Sequence, residues 1–99
     1  MMDAEMYECI SEGIDFLNGE FGDIHAWIGA IDLDTLRMSS TTECIIGQLY
    51  GNYTPSLWLA YGEIGYYSGH RYGFDDVNQN YQELTEAWQA VIAGLRAVL

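Results

Sequence analysis

Two cysteines and two histidines are the side chains of this chain best suited to bind a metal or to attack a substrate. Cys9, His25, Cys44 and His70 lack the close paired spacings of structural zinc sites. Cys9 and Cys44 both fall on apolar faces of predicted helices, where a buried cysteine behaves as a small hydrophobic residue. The sequence therefore predicts inert thiols rather than a zinc site or a Cys9–Cys44 disulfide.

The motifs of known enzymes are missing from the chain. It contains no nucleophile elbow, phosphate-binding loop, dinucleotide fingerprint or H-E-x-x-H motif. Fifteen carboxylates make some acidic pairs inevitable, so a pair of acids carries no information. Two histidines and three basic residues offer little to stabilise a developing anion. We therefore expect a protein that is not an enzyme and that has neither a cofactor nor a metal.

Acidic residues near the N-terminus recur at intervals of three or four along a helix predicted over residues 4–17. This acidic stripe consists of Glu5, Glu8, Glu12 and Asp15. Neighbouring carboxylates on one helix face lie about 5–6 Å apart, which is similar in scale to the spacing of successive phosphates in a nucleic acid. The stripe could imitate a phosphate backbone, and the alternative is a solvated helix face in an acidic protein.

Charge is the most extreme property of the composition. Fifteen acidic residues and three basic ones give a formal net charge of −12. This charge disfavours direct binding to nucleic acid and to membranes of anionic lipid, since both are polyanions. It favours attraction to a basic protein surface, including the surfaces that bind nucleic acid. The residues expected to contact such a partner are Glu5, Glu8, Glu12, Asp15, Glu20 and Asp23.

The length of 99 residues predicts a single domain over residues 1–99. Apolar residues make up 49% of the chain, which is enough for one core without disulfide bonds. The N-terminus lacks the basic and apolar regions of a signal peptide, and no apolar run approaches the roughly 20 residues that span a bilayer. We therefore expect a cytoplasmic protein.

The central segment, residues 40–51, carries the signals of a helix start and a helix end. Ser40 and Glu43 have the spacing of a capping box, and Gly51 is placed to end the helix in a left-handed conformation. The residues between them are almost wholly apolar, which predicts a buried helix. Gly47 indicates close approach of another backbone, and Gln48 is expected to bind a loop backbone rather than a ligand.

Residues 23–40, the connector, separate the first two predicted helices. Their large apolar residues are irregularly spaced, which predicts an ordered, partly extended segment over the core with a short helix at residues 24–30. Asp32 and Asp34 flank Leu33 in an alternating pattern. A calcium loop needs a longer run of oxygen ligands with a glycine turn, so no metal is expected here.

Aromatic residues and glycines alternate through residues 61–74, after a third helix predicted over residues 55–62. These aromatics either plug the core or contact a partner. In the second case the contact residues are Tyr66, Tyr67, Arg71 and Tyr72.

A last helix is predicted from a cap at Asn78 or Asn80 to Val98. It carries an apolar seam and, beside it, a stripe of small residues formed by Ala87, Ala90, Gly94 and Ala97. Two such stripes imply that the helix either packs centrally against the glycine-bearing second helix or forms a homodimer. The dimer contacts would be Ala87, Val91, Gly94 and Val98.

Residues 27–53 contain the motif W-x-x-x-I-D-L-D-x-L-x-M-S-S followed by C-I-I-G-Q-L-Y-G-x-Y. This motif resembles a family of small proteins of actinobacteria and their phages that has no established activity. Tyr72-Gly73-Phe74, Tyr81, Leu84-Thr85 and Trp88 resemble the second half of the same family. The resemblance implies a source and a type of fold, and it implies no mechanism.

We therefore expect an all-α fold, a compact bundle of about four helices with an ordered connector before the second helix. The function expected first is that of a small acidic phage or prophage protein in the cytoplasm of its host bacterium. It would bind and inhibit or adapt a host protein with a basic surface, imitating nucleic acid as an anti-defence protein does. The alternative is a self-associating structural or accessory protein whose acidic face is merely solvated.

Overall fold

The computed structural model describes residues 4–54, 69, 71–75 and 80–99 of the chain. Their α-helices include α1 (Ala4–Phe21), α2 (Ile45–Tyr50) and α3 (Tyr81–Val98). Two short 3₁₀ helices, η1 (Ile24–Ala26) and η2 (Ile28–Ala30), follow α1. No strand occurs among the described residues, and the all-α class is confirmed. The helix predicted over residues 55–62 lies outside the described part.

Helix α1 continues to Phe21, so the predicted end at residue 17 is wrong. Within the added turn, the Asn18 side chain accepts a hydrogen bond from the Trp27 indole N–H at 2.8 Å. Gly22 ends the helix with a φ of +99°, and its N–H donates to the Asn18 carbonyl. The extra turn of α1 therefore holds the start of the connector.

The core forms where α3 packs against α1 and η2. Trp27 and Trp88 are both completely buried within it. The indole N–H of Trp88 donates to the Gly73 carbonyl at 2.6 Å, so neither tryptophan leaves its polar edge unsatisfied. Phe74 stacks on Trp88 with 6.0 Å between ring centroids. These aromatic rings fill the centre of the bundle.

The turn around residues 71–74 rests directly on the backbone of α1. A Cβ atom at Gly13 would lie 2.0 Å from the Tyr72 carbonyl oxygen, so only glycine fits at this position of the helix. Gly73 has a φ of +73° and approaches the backbone of Cys9 and Ile10. This close approach brings Phe74 into the core.

The start of α2 differs from the predicted capping box. Helix α2 begins at Ile45, with Cys44 as its N-cap. Ser40 Oγ does accept from the Glu43 N–H at 3.1 Å, but it thereby caps the turn that precedes α2. The Ser40 N–H donates to the Arg37 carbonyl instead of to the Glu43 carboxylate. The chain turns before the helix starts because the Thr41 carbonyl accepts from the Tyr53 N–H at 2.7 Å.

The two glycine predictions for α2 are confirmed. A Cβ atom at Gly47 would lie 2.4 Å from the Thr41 carbonyl oxygen, which is the expected close approach of another backbone. Gly51 ends the helix in the left-handed region with a φ of +96°. Ile45 and Ile46 are fully buried, whereas Tyr50 is exposed and packs against Phe21.

Gln48 clamps the connector to α2, as predicted. Its Oε1 accepts from the Asp32 N–H at 2.7 Å, and its Nε2 donates to the Asp32 carbonyl at 3.1 Å. The same Nε2 also donates to the Glu43 carbonyl at 2.9 Å. One side chain therefore satisfies three backbone groups of irregular segments.

Polar side chains of α3 bind further backbone groups of the connector, in antiparallel order. The pairs are Thr85 Oγ1 with the Met38 N–H (2.8 Å), Gln89 Nε2 with the Leu33 carbonyl (3.1 Å), and the Arg96 guanidinium with the Ile28 and Ile31 carbonyls. The connector also buries apolar side chains between these points, including Ile31 and Leu36. The connector is therefore an ordered segment, as predicted. The helix predicted at residues 24–30 is replaced by η1 and η2, in which N–H groups bond three residues back.

Helix α3 begins and ends as predicted, since Asn80 Oδ1 accepts from the Glu83 N–H and the helix reaches Val98. Its buried residues are Leu84, Ala87, Trp88 and Ile92. Of the two alternatives for this helix, central packing of the small stripe against α2 does not occur for Ala90, Gly94 and Ala97, which are exposed, whereas Ala87 is buried in the core. The side chains that reach the connector occupy the inner face and turn these small residues outward.

Replacing Gly13 by alanine should lower the free energy of unfolding by about 1–3 kcal/mol, because the new methyl group collides with the Tyr72 carbonyl. Gly19 lies on the same helix with open space around it, so Gly19→Ala should raise stability by about 0.5–1 kcal/mol. Urea unfolding followed by circular dichroism measures both values. Equal effects of the two substitutions would contradict the close approach at Gly13.

Candidate functional site

The acidic stripe lies on the outward side of α1, opposite the buried residues Ile10, Gly13 and Leu17. Each of the stripe's four carboxylate residues is exposed. At a rise of 1.5 Å per residue, the stripe extends for about 15 Å along one uninterrupted helix. The structure therefore brings the predicted acids together on one rigid, solvent-facing surface.

Glu20 and Asp23 do not extend this row. Glu20 belongs to α1 because the helix continues to Phe21, but a rotation of about 100° per residue places it about 140° around the helix from Asp15, away from the stripe. Asp23 is exposed and serves as the N-cap of η1, where its carboxylate accepts from the His25 N–H at 2.6 Å. The acidic stripe is thus a row of four residues, and both Glu20 and Asp23 lie outside it.

The aromatic segment meets the acidic stripe at Arg71. Its Nη2 lies 3.6 Å from Glu12 Oε1, and both side chains are largely exposed. Tyr72 is half-buried and stacks on Phe16, with 5.1 Å between ring centroids. Tyr72 therefore contributes to the core, while Arg71 offsets one charge of the stripe. Tyr66 and Tyr67 lie outside the described residues.

All three basic residues of the chain are engaged with groups of the chain itself. Arg37 Nη1 lies 4.0 Å from Glu43 Oε1, Arg71 pairs with Glu12, and Arg96 binds the carbonyls of the connector. The two ion pairs are exposed, so each adds little stability. Their consequence is electrostatic, because they leave the outward face of α1 dominated by negative charge.

The Cys44 thiol is part of the fold. It is completely buried, and its Sγ accepts from the Gly47 N–H at 3.3 Å. Burial raises the pKa of this thiol, since the thiolate would lose its hydration, and the hydrogen bond from Gly47 only partly opposes this effect. Cys9 is half-buried on α1, and the two cysteines are not joined in a disulfide.

Among the described residues, no group of three or more histidine, cysteine or acidic side chains is arranged to hold a metal. Asp32 Oδ1 accepts from the Asp34 N–H at 3.0 Å, which is a local turn contact. None of the described helices is both long and apolar enough to cross a bilayer. His70 lies outside the described residues.

The proposed dimer residues of α3 have different environments. Ala87 is completely buried in this chain's own core, so it is unavailable to a second copy. Val91 is half-buried against the core. Gly94 and Val98 are exposed, Val98 to 79%. A dimer surface on α3 would therefore be centred on Gly94 and Val98.

Sequence reasoning missed a cleft of about 280 Å³ between the end of the connector and the first turn of α3. It is lined by Arg37, Ser39, Tyr81, Gln82 and Thr85. The hydrogen bond between the Met38 N–H and Thr85 Oγ1 brings these two distant segments together. No short-range sequence pattern joins them, so only the presence of a scarce arginine at position 37 could have drawn attention to the site.

No protein-family model matches this chain, and no match was found among curated proteins or solved structures. The resemblance to small actinobacterial and phage proteins therefore stays a prediction. On the described part of the surface, the acidic stripe is an extended charged feature.

In a Cys9→Ala variant, Cys44 should resist a thiol reagent at pH 8 until the protein unfolds, because its side chain is buried and protonated. The unfolded thiol loses its proton near pH 8.5, whereas the folded thiol keeps it to higher pH. Between these two pKa values the unfolded state binds fewer protons, so stability falls as the pH rises. The variant that also carries Cys44→Ala should lack this part of the decline. Rapid native labelling would contradict the buried thiol.

Proposed function

We propose that this chain is a small acidic protein of phage or prophage type that binds a host protein and inhibits or adapts it. The supporting observation is the row of four exposed carboxylates on one side of α1. A helix fixes the spacing of these groups, so the row presents its charge in a defined pattern. A partner that matches the row has basic side chains at similar intervals.

Two electrostatic effects favour such a complex. Like charges three or four residues apart on a helix repel by a few tenths of a kcal/mol per pair, and a basic partner relieves this repulsion. The net charge of −12 attracts a basic surface before contact and speeds association. Exposed charges interact over about 8–10 Å at physiological salt, so the complex should weaken as salt is added.

Imitation of nucleic acid is the specific form of binding proposed here. Carboxylates about 5–6 Å apart along about 15 Å of helix offer a partner a row of negative groups on the scale of a phosphate backbone. A protein that binds DNA or RNA would accept this row in its basic groove, as the targets of anti-defence proteins do. The phage source comes from the motif in residues 27–53 and is part of the proposal.

The proposed role is binding rather than catalysis, and the proposed site of action is the host cytoplasm. A buried thiol with a raised pKa is a poor nucleophile, so Cys44 does not suggest chemistry. The arginines contact groups of the chain itself, which leaves little positive charge to stabilise an anionic transition state. Host proteins that bind nucleic acid are found in the cytoplasm, where the partner would be met.

Reversing two charges of the stripe tests the proposal. The variant Glu8→Lys with Asp15→Lys should lose a partner that the wild-type chain captures from nuclease-treated host lysate and releases at high salt. The captured protein should bind DNA or RNA, and the wild-type chain should compete with that nucleic acid for it. Mass spectrometry of the eluate and a competition assay measure these outcomes.

The control variant carries Asp34→Lys and Glu86→Lys, two exposed acids away from α1. Each reversal adds two charges, so both double variants change the formal net charge by +4, from −12 to −8. The control should keep the partner. If both variants lose it equally, net charge alone explains binding; if neither does, the stripe is a solvated face.

Self-association through α3 is the second candidate. Ala90, Gly94 and Ala97 form an exposed strip of small residues next to Val98, and the described residues outside the helix's own backbone leave open space at Gly94. Such a strip allows the backbone of another helix to come close. An interface of this composition would be apolar, so salt would not weaken it.

Sedimentation at high micromolar concentration and high salt tests self-association. We expect a dimer if α3 is the interface, and Ala97→Glu should convert it to a monomer by placing a charge in the strip. Glu86→Gln on the same helix is the control and should leave the dimer intact. A monomeric wild-type chain would rule out this candidate and leave the acidic stripe as the functional surface.

A further inference from the structure

The cleft between the connector and α3 differs in character from the acidic stripe. Its volume of about 280 Å³ lies at the lower limit of ligand pockets, which are typically about 300–1,000 Å³. The five described lining residues all carry hydrogen-bonding groups, and none of these five carries a carboxylate. A cleft lining without carboxylates contrasts with the acidic composition of the chain, which has fifteen acidic residues.

Hydrogen-bond donors converge on the cleft. The Arg37 guanidinium has five N–H groups, and its contact with Glu43, at 4.0 Å, is at the long limit of an ion pair. Thr85 Oγ1 accepts from the Met38 N–H, so the hydroxyl proton of Thr85 is left to donate. Ser39 adds a second, exposed hydroxyl group. The Gln82 amide makes only a long contact of 3.5 Å with Glu86.

Tyr81 contributes its ring to the lining of the cleft, because its hydroxyl group already donates to Asp75 Oδ1. The first turn of α3 adds the positive end of a helix dipole to the charge of Arg37. The acidic groups that flank the cleft include Asp75, which accepts from Tyr81, Glu43, which pairs with Arg37, and Glu86, which contacts Gln82. A ligand therefore competes with Glu43 for the guanidinium.

We propose that this cleft binds an oxyanion, the carboxylate or phosphate group of a small molecule, with Arg37 as its counter-charge and the Ser39 and Thr85 hydroxyl groups as hydrogen-bond donors. A planar guanidinium binds both anions through paired hydrogen bonds. The volume of about 280 Å³ is sufficient for the anionic group with a short stem. The site is separate from the acidic stripe, so it goes beyond the function proposed above.

Titration of the ¹⁵N-labelled chain tests this proposal. Inorganic phosphate, acetate and phosphoserine are added at constant ionic strength, with chloride as the balancing ion, while the amide resonances of Ser39, Gln82 and Thr85 are followed. The expected result is a saturable shift confined to the cleft with at least one probe. The ranking of phosphate, acetate and phosphoserine then identifies which oxyanion the site prefers.

Two arginine variants provide a matched comparison. Arg37 and Arg71 are 70% and 69% exposed and each pairs loosely with a glutamate, but only Arg37 lines the cleft. Arg37→Met should weaken binding about tenfold, the loss expected for a charged hydrogen-bonding partner, and Arg71→Met should leave it unchanged. Glu43→Gln should tighten binding by removing the competing carboxylate.

Shifts that do not saturate, or that spread over the surface near every arginine, would overturn the proposal and show an adventitious ion only. Equal weakening by Arg37→Met and Arg71→Met would overturn it as well, since it would reduce the effect to net charge. Thermal unfolding of each variant confirms that both exposed substitutions leave the fold intact, so a loss of binding reports on the cleft itself.

Discussion

The rest of this structure depends on supplying hydrogen-bond partners to the backbone of the connector. A chain that runs over a core without regular secondary structure exposes N–H and carbonyl groups that need partners once water is removed. Here α2 and α3 provide them from side chains, through Gln48, Thr85, Gln89 and Arg96. Because these polar groups are satisfied, the connector can bury Trp27, Ile31 and Leu36 and complete a core that three helices alone would leave open.

The same arrangement decides what the surface presents. The polar side of α3 faces the connector, where Arg96 binds carbonyl groups. The small residues of the helix therefore face solvent. The other two arginines each face a glutamate. A chain with few cations thus retains an acidic outer face on α1, and a donor-lined cleft lies where the connector meets α3. The packing of α3 on the connector therefore also determines which charges the surface presents.

Local signals in the sequence were sufficient for features that depend on neighbouring residues. The Asn80 cap, the left-handed Gly51 and the outward acids of α1 all follow from spacing within one helix. Gln48 was predictable because a polar residue in an apolar helix needs a partner. The cap at Cys44, the longer α1 and the cleft were not predictable, since each depends on contacts with segments distant along the chain. The functional assignment of the stripe rests on charge pattern alone and so remains a proposal.

The hydrogen bonds between the connector and α3 join residues that are synthesised far apart in time. The partners Met38 and Thr85 are 47 residues apart, Leu33 and Gln89 are 56 apart, and Ile28 and Arg96 are 68 apart. Contacts of such separation close late, because the entropy of a long loop is lost before they form. During synthesis on the ribosome the connector therefore stays hydrated until α3 has emerged, because its hydrogen-bond partners lie on that helix.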